Sequence, residues 1–300
     1  MKRTASASAS DAFRTAYDEI LATEWPAGTA STAVSTPYGT THLNSCGPED
    51  APPLLLLPGG GATSTVWYAQ AASLGRSHRV HAVDLVGEPG RSTVGERPIR
   101  TPADLHGWLD AVLDALDAGP AALCGHSYGG WIALHYALHA PHRLRKLVLV
   151  DPTGCFAGFR PGYLLHALPM LLRPDAARTR AFLAWETGHA PLDPAWLRLR
   201  EAAAGLPAVR PVTGPRPSAE ALRALDVPAL ILLAEESRAQ DTPRVATAVK
   251  RLLPRAETVV LPGVSHHALP LHEPAAGELN RRMLRFLDGP ARQDASASPL

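Results

Sequence analysis

Two short stretches of this 300-residue chain hold side chains suited to acyl chemistry. The first is Gly125-His126-Ser127-Tyr128-Gly129, between the apolar run Ala121–Cys124 and a segment of helical character. A serine at a sharp strand-to-helix turn has strained backbone and a hydroxyl exposed above the sheet. Gly125 and Gly129 are required there because a Cβ at either would strike the neighbouring strand or helix. The amide of Tyr128 falls at a helix N-terminus, free to bind a developing oxyanion. A serine hydroxyl needs a base beside it to become a nucleophile. The second stretch supplies one: Pro262-Gly263-Val264-Ser265-His266 follows an apolar strand late in the chain, where active sites of open α/β sheets gather.

These residues need a sheet to position them, and the hydrophobic pattern provides it. Leu54–Leu57, Arg79–Leu85, Ala121–Cys124, Leu147–Val150, Pro228–Ala234 and Thr258–Leu261 read as strands, several apolar on both faces as in a parallel sheet. Helical patterns alternate with them at about 65–74, 102–116, 243–253 and 274–287, and residues 31–37 and 41–46 suit an antiparallel hairpin. From about 152 to 225 the alternation stops, and proline-broken helical patterns carry no strand signal. An insert of that kind fits a lid over an active site. The expected organisation is a tail with a lead-in helix over 1–30, a core over 31–151 and 226–288, a helical cap over 152–225 and a tail over 289–300.

Four motifs in order resemble the α/β-hydrolase fold family: Pro58-Gly59-Gly60-Gly61, the Asp84–Ser92 loop, the Ser127 turn and the His266 loop. The likeness covers roughly Leu54–Leu287. It implies an α/β fold with a mostly parallel central sheet flanked by helices and an inserted cap. It further implies Ser127 as nucleophile and His266, rather than His267, as base. Gly60 and Tyr128 become the oxyanion donors, and Asp84 braces its loop through Ser92. Many members carry His where this chain has Pro58.

The triad acid departs from the family pattern. Members place it just past the strand ending here at Ala234, where Ser237 and Arg238 stand. Neither can orient an imidazolium. Asp241, slightly further on, is the first choice, although Asp-Thr-Pro also suits a helix N-cap. Asp151 is the runner-up, followed by Glu235 and Glu236.

Other features narrow the function. A formal net charge of +1 gives no electrostatic case for nucleic acid or an acidic membrane surface. Cys46, Cys124 and Cys155 form no disulfide framework, and no apolar signal segment or spanning stretch is present, which suits a cytoplasmic protein. His135 and His139 lie a helical turn apart, with His142 beyond, but no carboxylate or cysteine completes a metal set, so a solvated helix end is expected. No cofactor is expected. Arginines outnumber acids in the insert, and one or two of them facing a substrate carboxylate is an alternative to plain lid surface. Phe156, Phe159, Tyr163, Phe182, Trp185 and Trp196 are candidates for an apolar pocket wall.

The expected activity is a serine hydrolase cleaving small or medium apolar esters through an acyl-enzyme. The alternatives are an acyltransferase or cyclase, a thioesterase, and a ligand-binding pseudoenzyme of the same fold.

Overall fold

The computed structural model describes residues 7–207, 210–271 and 273–290. Its chain order begins with α1 (Ala7–Thr23), β1 (Ala30–Thr36), β2 (Gly39–Cys46), β3 (Pro53–Leu57), α2 (Tyr68–Leu74), β4 (Arg79–Val83), β5 (Thr93–Val94) and α3 (Pro102–Ala115). There follow β6 (Ala121–His126), α4 (Tyr128–His139), β7 (Leu144–Val150), α5 (Pro161–Leu172), α6 (Ala176–Glu186), α7 (Pro194–Ala203) and α8 (Ala219–Ala224). The last elements are β8 (Ala229–Ala234), α9 (Thr242–Leu252), β9 (Glu257–Leu261) and α10 (Ala275–Asp288).

Eight strands lie in the order β1-β2-β4-β3-β6-β7-β8-β9, and β5 pairs with β2. The hairpin of β1 and β2 is antiparallel, and β2 joins β4 antiparallel. From β4 to β9 every pairing is parallel. Helices on both faces account for the strand composition: Leu54, Leu55, Leu56 and Leu57 have no solvent exposure at all.

Local signals set the helix boundaries. Thr101 and Asp104 form a reciprocal capping box at the start of α3, with Pro102 at its first position. At the far end of the chain, the Lys146 ammonium donates to the carbonyls of Phe286 and Leu287, both at 2.8 Å. Three donors on one cation satisfy carbonyls that α10 leaves without partners.

The first helix is more than a lead-in. Phe13, Tyr17 and Ile20 are buried, and the Tyr17 hydroxyl bonds Ser64 at 2.9 Å and donates to Asp84 at 3.0 Å. Arg198 on α7 bonds Glu19 on α1. α1 is therefore part of the packed body rather than an appendage. The expected tails at 1–6 and 291–300 lie outside the described residues. Between β7 and β8 the regular elements are α5 to α8.

Candidate active site

β6 runs straight into α4, and Ser127 is the one residue between them. Its backbone sits at φ 53° and ψ −115°, a conformation L-residues rarely adopt. The neighbouring glycines make the turn possible. A Cβ on Gly125 would stand 2.2 Å from the Gly129 carbonyl oxygen, and one on Gly129 only 2.3 Å from that of Leu57. The turn is further pinned by Ser127 N–H donating to the Val150 carbonyl at 3.0 Å and Trp131 N–H to the Ser127 carbonyl at 3.1 Å.

His266 comes to this serine from the loop after β9. Its Nε2 lies 2.8 Å from Ser127 Oγ, and its Nδ1 lies 2.6 Å from Asp151 Oδ2. A carboxylate only accepts, so Nδ1 carries the proton and Nε2 presents its lone pair to the serine. That is the geometry of a base ready to take the hydroxyl proton.

The carboxylate that meets His266 is therefore that of Asp151, not Asp241. Asp241 caps α9, its Oδ1 accepting the Arg244 amide at 3.0 Å. This is the N-cap role that its Asp-Thr-Pro sequence allowed. Asp151 stands immediately after β7, at φ 39° and fully buried. All its acceptor capacity is used. Oδ1 takes the Ala234 amide at 3.3 Å and Gln240 Nε2 at 3.0 Å, and Oδ2 takes the Ser237 hydroxyl at 2.8 Å as well as the imidazole. Ser237 thus orients the acid instead of replacing it. Glu235 is exposed and accepts the Gly263 amide at 2.9 Å, and Glu236 is exposed too. None of these three alternatives meets His266.

Sequence reasoning overlooked Glu186, the last residue of α6. Its carboxylate is fully buried and accepts the amides of His266 and His267, each at 3.1 Å, the Ser265 hydroxyl at 3.1 Å and His267 Nδ1 at 3.0 Å. A carboxylate from the inserted helices therefore grips the loop that carries His266. Burial opposes its charge, yet the ring of His267 and these bonds hold the carboxyl down to about 2. No local motif announces it. The only hint was an acid among the apolar and aromatic residues of Phe182–Glu186.

Burial also works against charge on His266. The hydrogen bond and charge of Asp151, with the charge of Glu186, outweigh it, so His266 titrates above the ordinary imidazole value. His267 and His126 move the other way, chiefly through burial. His126 stays neutral and donates Nε2–H to the His266 carbonyl at 3.1 Å, a second tether on the loop.

The loop after β3 approaches from the opposite side. A Cβ on Gly59 would lie 3.2 Å from that of Ser127, and one on Gly60 3.8 Å from that of Tyr128. Gly61 N–H is committed to Glu88 Oε2 at 2.9 Å. Tyr128 opens α4, where the N–H has no acceptor within the helix. Asp84 braces this region through its carboxylate, which takes the Ser64 and Arg91 amides at 2.7 Å, while Ser92 Oγ donates to its main-chain carbonyl at 2.6 Å.

Ser127 opens into a cavity of about 690 Å³. Phe159, Tyr163, Phe182 and Trp196 from the insert line it, as the sequence suggested. Phe156 packs in the core instead, and Trp185 stacks on His166 with ring centroids 3.9 Å apart. His135 packs at a tilt on Trp131 with ring centroids 4.1 Å apart, while His139, the last residue of α4, stacks on His106 yet stays exposed, and His142 beyond it is exposed too, as a solvated helix end requires. Among the described residues no three His, Cys, Asp or Glu side chains gather to hold a metal, and no helix is long and apolar enough to cross a membrane.

The chain is 30% identical over 287 residues to carboxylesterase YbfK of Bacillus subtilis, a match spanning 92% of this chain and 94% of that one. Its fold superposes on the crystal structure of that carboxylesterase with a TM-score of 0.87 at 28% identity, covering 94% of this chain and 99% of the other. The crystal structure of naproxen esterase from the same organism gives a TM-score of 0.86 at 28% identity, again over 94% and 99% of the two chains. Residues 54–279 match the model of the alpha/beta hydrolase family, three-quarters of the chain including every residue around Ser127, and it is to this family that the chain belongs.

Proposed function

We propose that this protein is a carboxylesterase working through an acyl-enzyme on Ser127. The observation that carries the reading is the unbroken contact from Ser127 Oγ through His266 to Asp151 at the floor of a large, mainly apolar cavity. Ser127 attacks the ester carbonyl as His266 Nε2 takes its proton, and Asp151 stabilises the imidazolium that forms. The amides of Gly60 and Tyr128 hold the oxyanion, a reading the family resemblance supplies and the engagement of Gly61 N–H by Glu88 is consistent with. Collapse expels the alcohol, which takes the proton from His266. Water, deprotonated by the same imidazole, then attacks the acyl carbon and releases the acid and Ser127.

The helices of residues 152–225 serve as a cap that shapes the acyl or alcohol pocket, a role supported by the aromatic side chains they send into the cavity. The absence of a carboxylate at the family's usual position lends weight to a ligand-binding pseudoenzyme, and the contact of Asp151 with His266 favours the enzyme instead. Likeness to naproxen esterase makes esters of arylalkanoic acids the first substrates to try, alongside simple apolar esters. The partner is a small molecule, and a cytoplasmic setting suits three buried, unpaired cysteines. Labelling by a fluorophosphonate, with hydrolysis of p-nitrophenyl esters of graded chain length, tests the reading. No labelling of the wild type and no turnover of any ester would refute it.

A further inference from the structure

Among the described residues lining the cavity, one arginine leaves a buried guanidinium nitrogen without a hydrogen-bond acceptor. It is Arg200, on α7, and the nitrogen is Nε. The neighbouring arginines of the insert behave differently: Arg180 pairs with Glu201 at 2.6 Å and Arg198 with Glu19 at 2.5 Å, both on the surface. Among the described residues Arg200 makes no ion pair of this kind. Its guanidinium carbon lies 5.8 Å from the centre of the Trp196 ring, and a Cβ on Gly61 would stand only 2.9 Å from Nη1. The glycine therefore leaves the space that the guanidinium occupies.

Position ties this cation to the reacting centre. Gly59 abuts Ser127 and Gly61 abuts Arg200. Two peptide units separate those glycines, at most about 7.6 Å between their Cα atoms. Glu88 shares this end of the cavity, but its Oε2 is engaged by the Gly61 amide, and burial pushes its carboxyl above the usual range against the pull of Arg200. The field of Arg200 also reaches Tyr163 and His267.

An arginine keeps its charge under all ordinary conditions. An entirely apolar ligand filling this space would strip water from the guanidinium and return nothing, which is costly. A ligand with an anionic oxygen would restore the lost bonds with charge-assisted ones. A pocket with a buried polar group that needs a partner discriminates strongly against analogues that lack it.

We infer that Arg200 is an anion subsite, and that the preferred esters carry a carboxylate on the arm lying along Gly59–Gly61. This inference rests on the esterase reading and narrows its substrate class to half-esters of dicarboxylic acids or molecules of equivalent charge. The apolar walls would hold the chain between the two ends.

Paired substrates test it. Monomethyl and dimethyl glutarate share a skeleton and differ in whether the far carboxyl is charged; the adipate and suberate pairs lengthen the reach. Hydrolysis is followed by pH-stat in the wild type and in Arg200→Met and Arg200→Lys, with thermal melting to verify folding. The expected result is a wild-type kcat/KM preference for a monoester over its diester that drops about 10- to 100-fold in Arg200→Met. The loss should fall mainly on KM, and Arg200→Lys should recover part of it. Equal losses on both members of each pair, or no wild-type preference at any length, would overturn the subsite while leaving the esterase intact. If the wild type also ignores dimethyl glutarate and p-nitrophenyl butyrate, the esterase reading fails and takes the inference with it.

Discussion

Asp151→Asn is the sharpest perturbation of the site, because the structure dictates how the amide would sit. Oδ1 of Asp151 accepts from two donors, the Ala234 amide and Gln240 Nε2. The amide oxygen must take that place, since an NH2 group there would oppose both. The NH2 group then falls where Oδ2 now meets His266 Nδ1 at 2.6 Å. A donor at that point forces the imidazole proton onto Nε2, and the ring would donate to Ser127 instead of accepting from it. Loss of the charge-assisted bond alone costs about 1.5–3 kcal/mol. The wrong tautomer adds the remainder of a loss on the order of 10⁴ in kcat, about 5.5 kcal/mol at 1.36 kcal/mol per decade. Initial rates on p-nitrophenyl butyrate measure it, with melting curves to establish that the variant folds. Asp241→Asn is the control: asparagine caps a helix as well as aspartate does, so its kcat should stay within about twofold. A folded Asp151→Asn enzyme retaining a tenth of wild-type kcat, or a 10⁴-fold loss in Asp241→Asn, would refute the assignment.

Three further outcomes are expected. Ser127→Ala should lose about 10⁵- to 10⁶-fold in kcat and all fluorophosphonate labelling, because triad members act as a unit; undiminished turnover in the pure variant would end the mechanism. Wild-type kcat/KM should decline toward acid with a midpoint above the ordinary imidazole value, since His266 must be neutral to accept a proton and its environment favours the charged form; in Glu186→Gln, which keeps acceptor oxygen but drops the charge, that midpoint should move to lower pH, and an unmoved profile would reduce Glu186 to a structural clamp. Gly129→Ala places a Cβ 2.3 Å from the Leu57 carbonyl oxygen and 2.5 Å from that of Pro58, both backbone atoms, and should cost about 3 kcal/mol, visible as a lowered Tm; a wild-type melting curve would contradict the close approach.

The sheet was legible because a strand buried on both faces must be apolar at every position, and such runs are short and bounded. Leu54–Leu57 and Ala229–Ala234 announce themselves in this way. Ser127 was legible for a related reason: a turn that tight admits only glycine at Gly125 and Gly129, so backbone sterics are written directly into residue type. The insert was visible by its prolines, although its aromatic side chains divided between cavity and core in a way that composition could not foretell.

The acid was not legible. A carboxylate after β7 and another after β8 look alike on paper, and Asp241 had the favoured loop. What separates them is the buried set of donors, Ser237, Gln240 and the Ala234 amide, which converge on Asp151 from a neighbouring strand and its loop. Glu186 and Arg200 were hidden in the same way. Each is one charged residue among many in the insert, and its importance lies in what α6 and α7 bring it against. The sequence by itself determined the strands, the serine turn and the histidine loop, because local sterics and burial constrain residue type at each position. Tertiary structure decided which carboxylate serves the histidine and which arginine enters the cavity. Charge and hydrogen bonding act between groups distant in the chain, and residue type alone does not say which groups will meet.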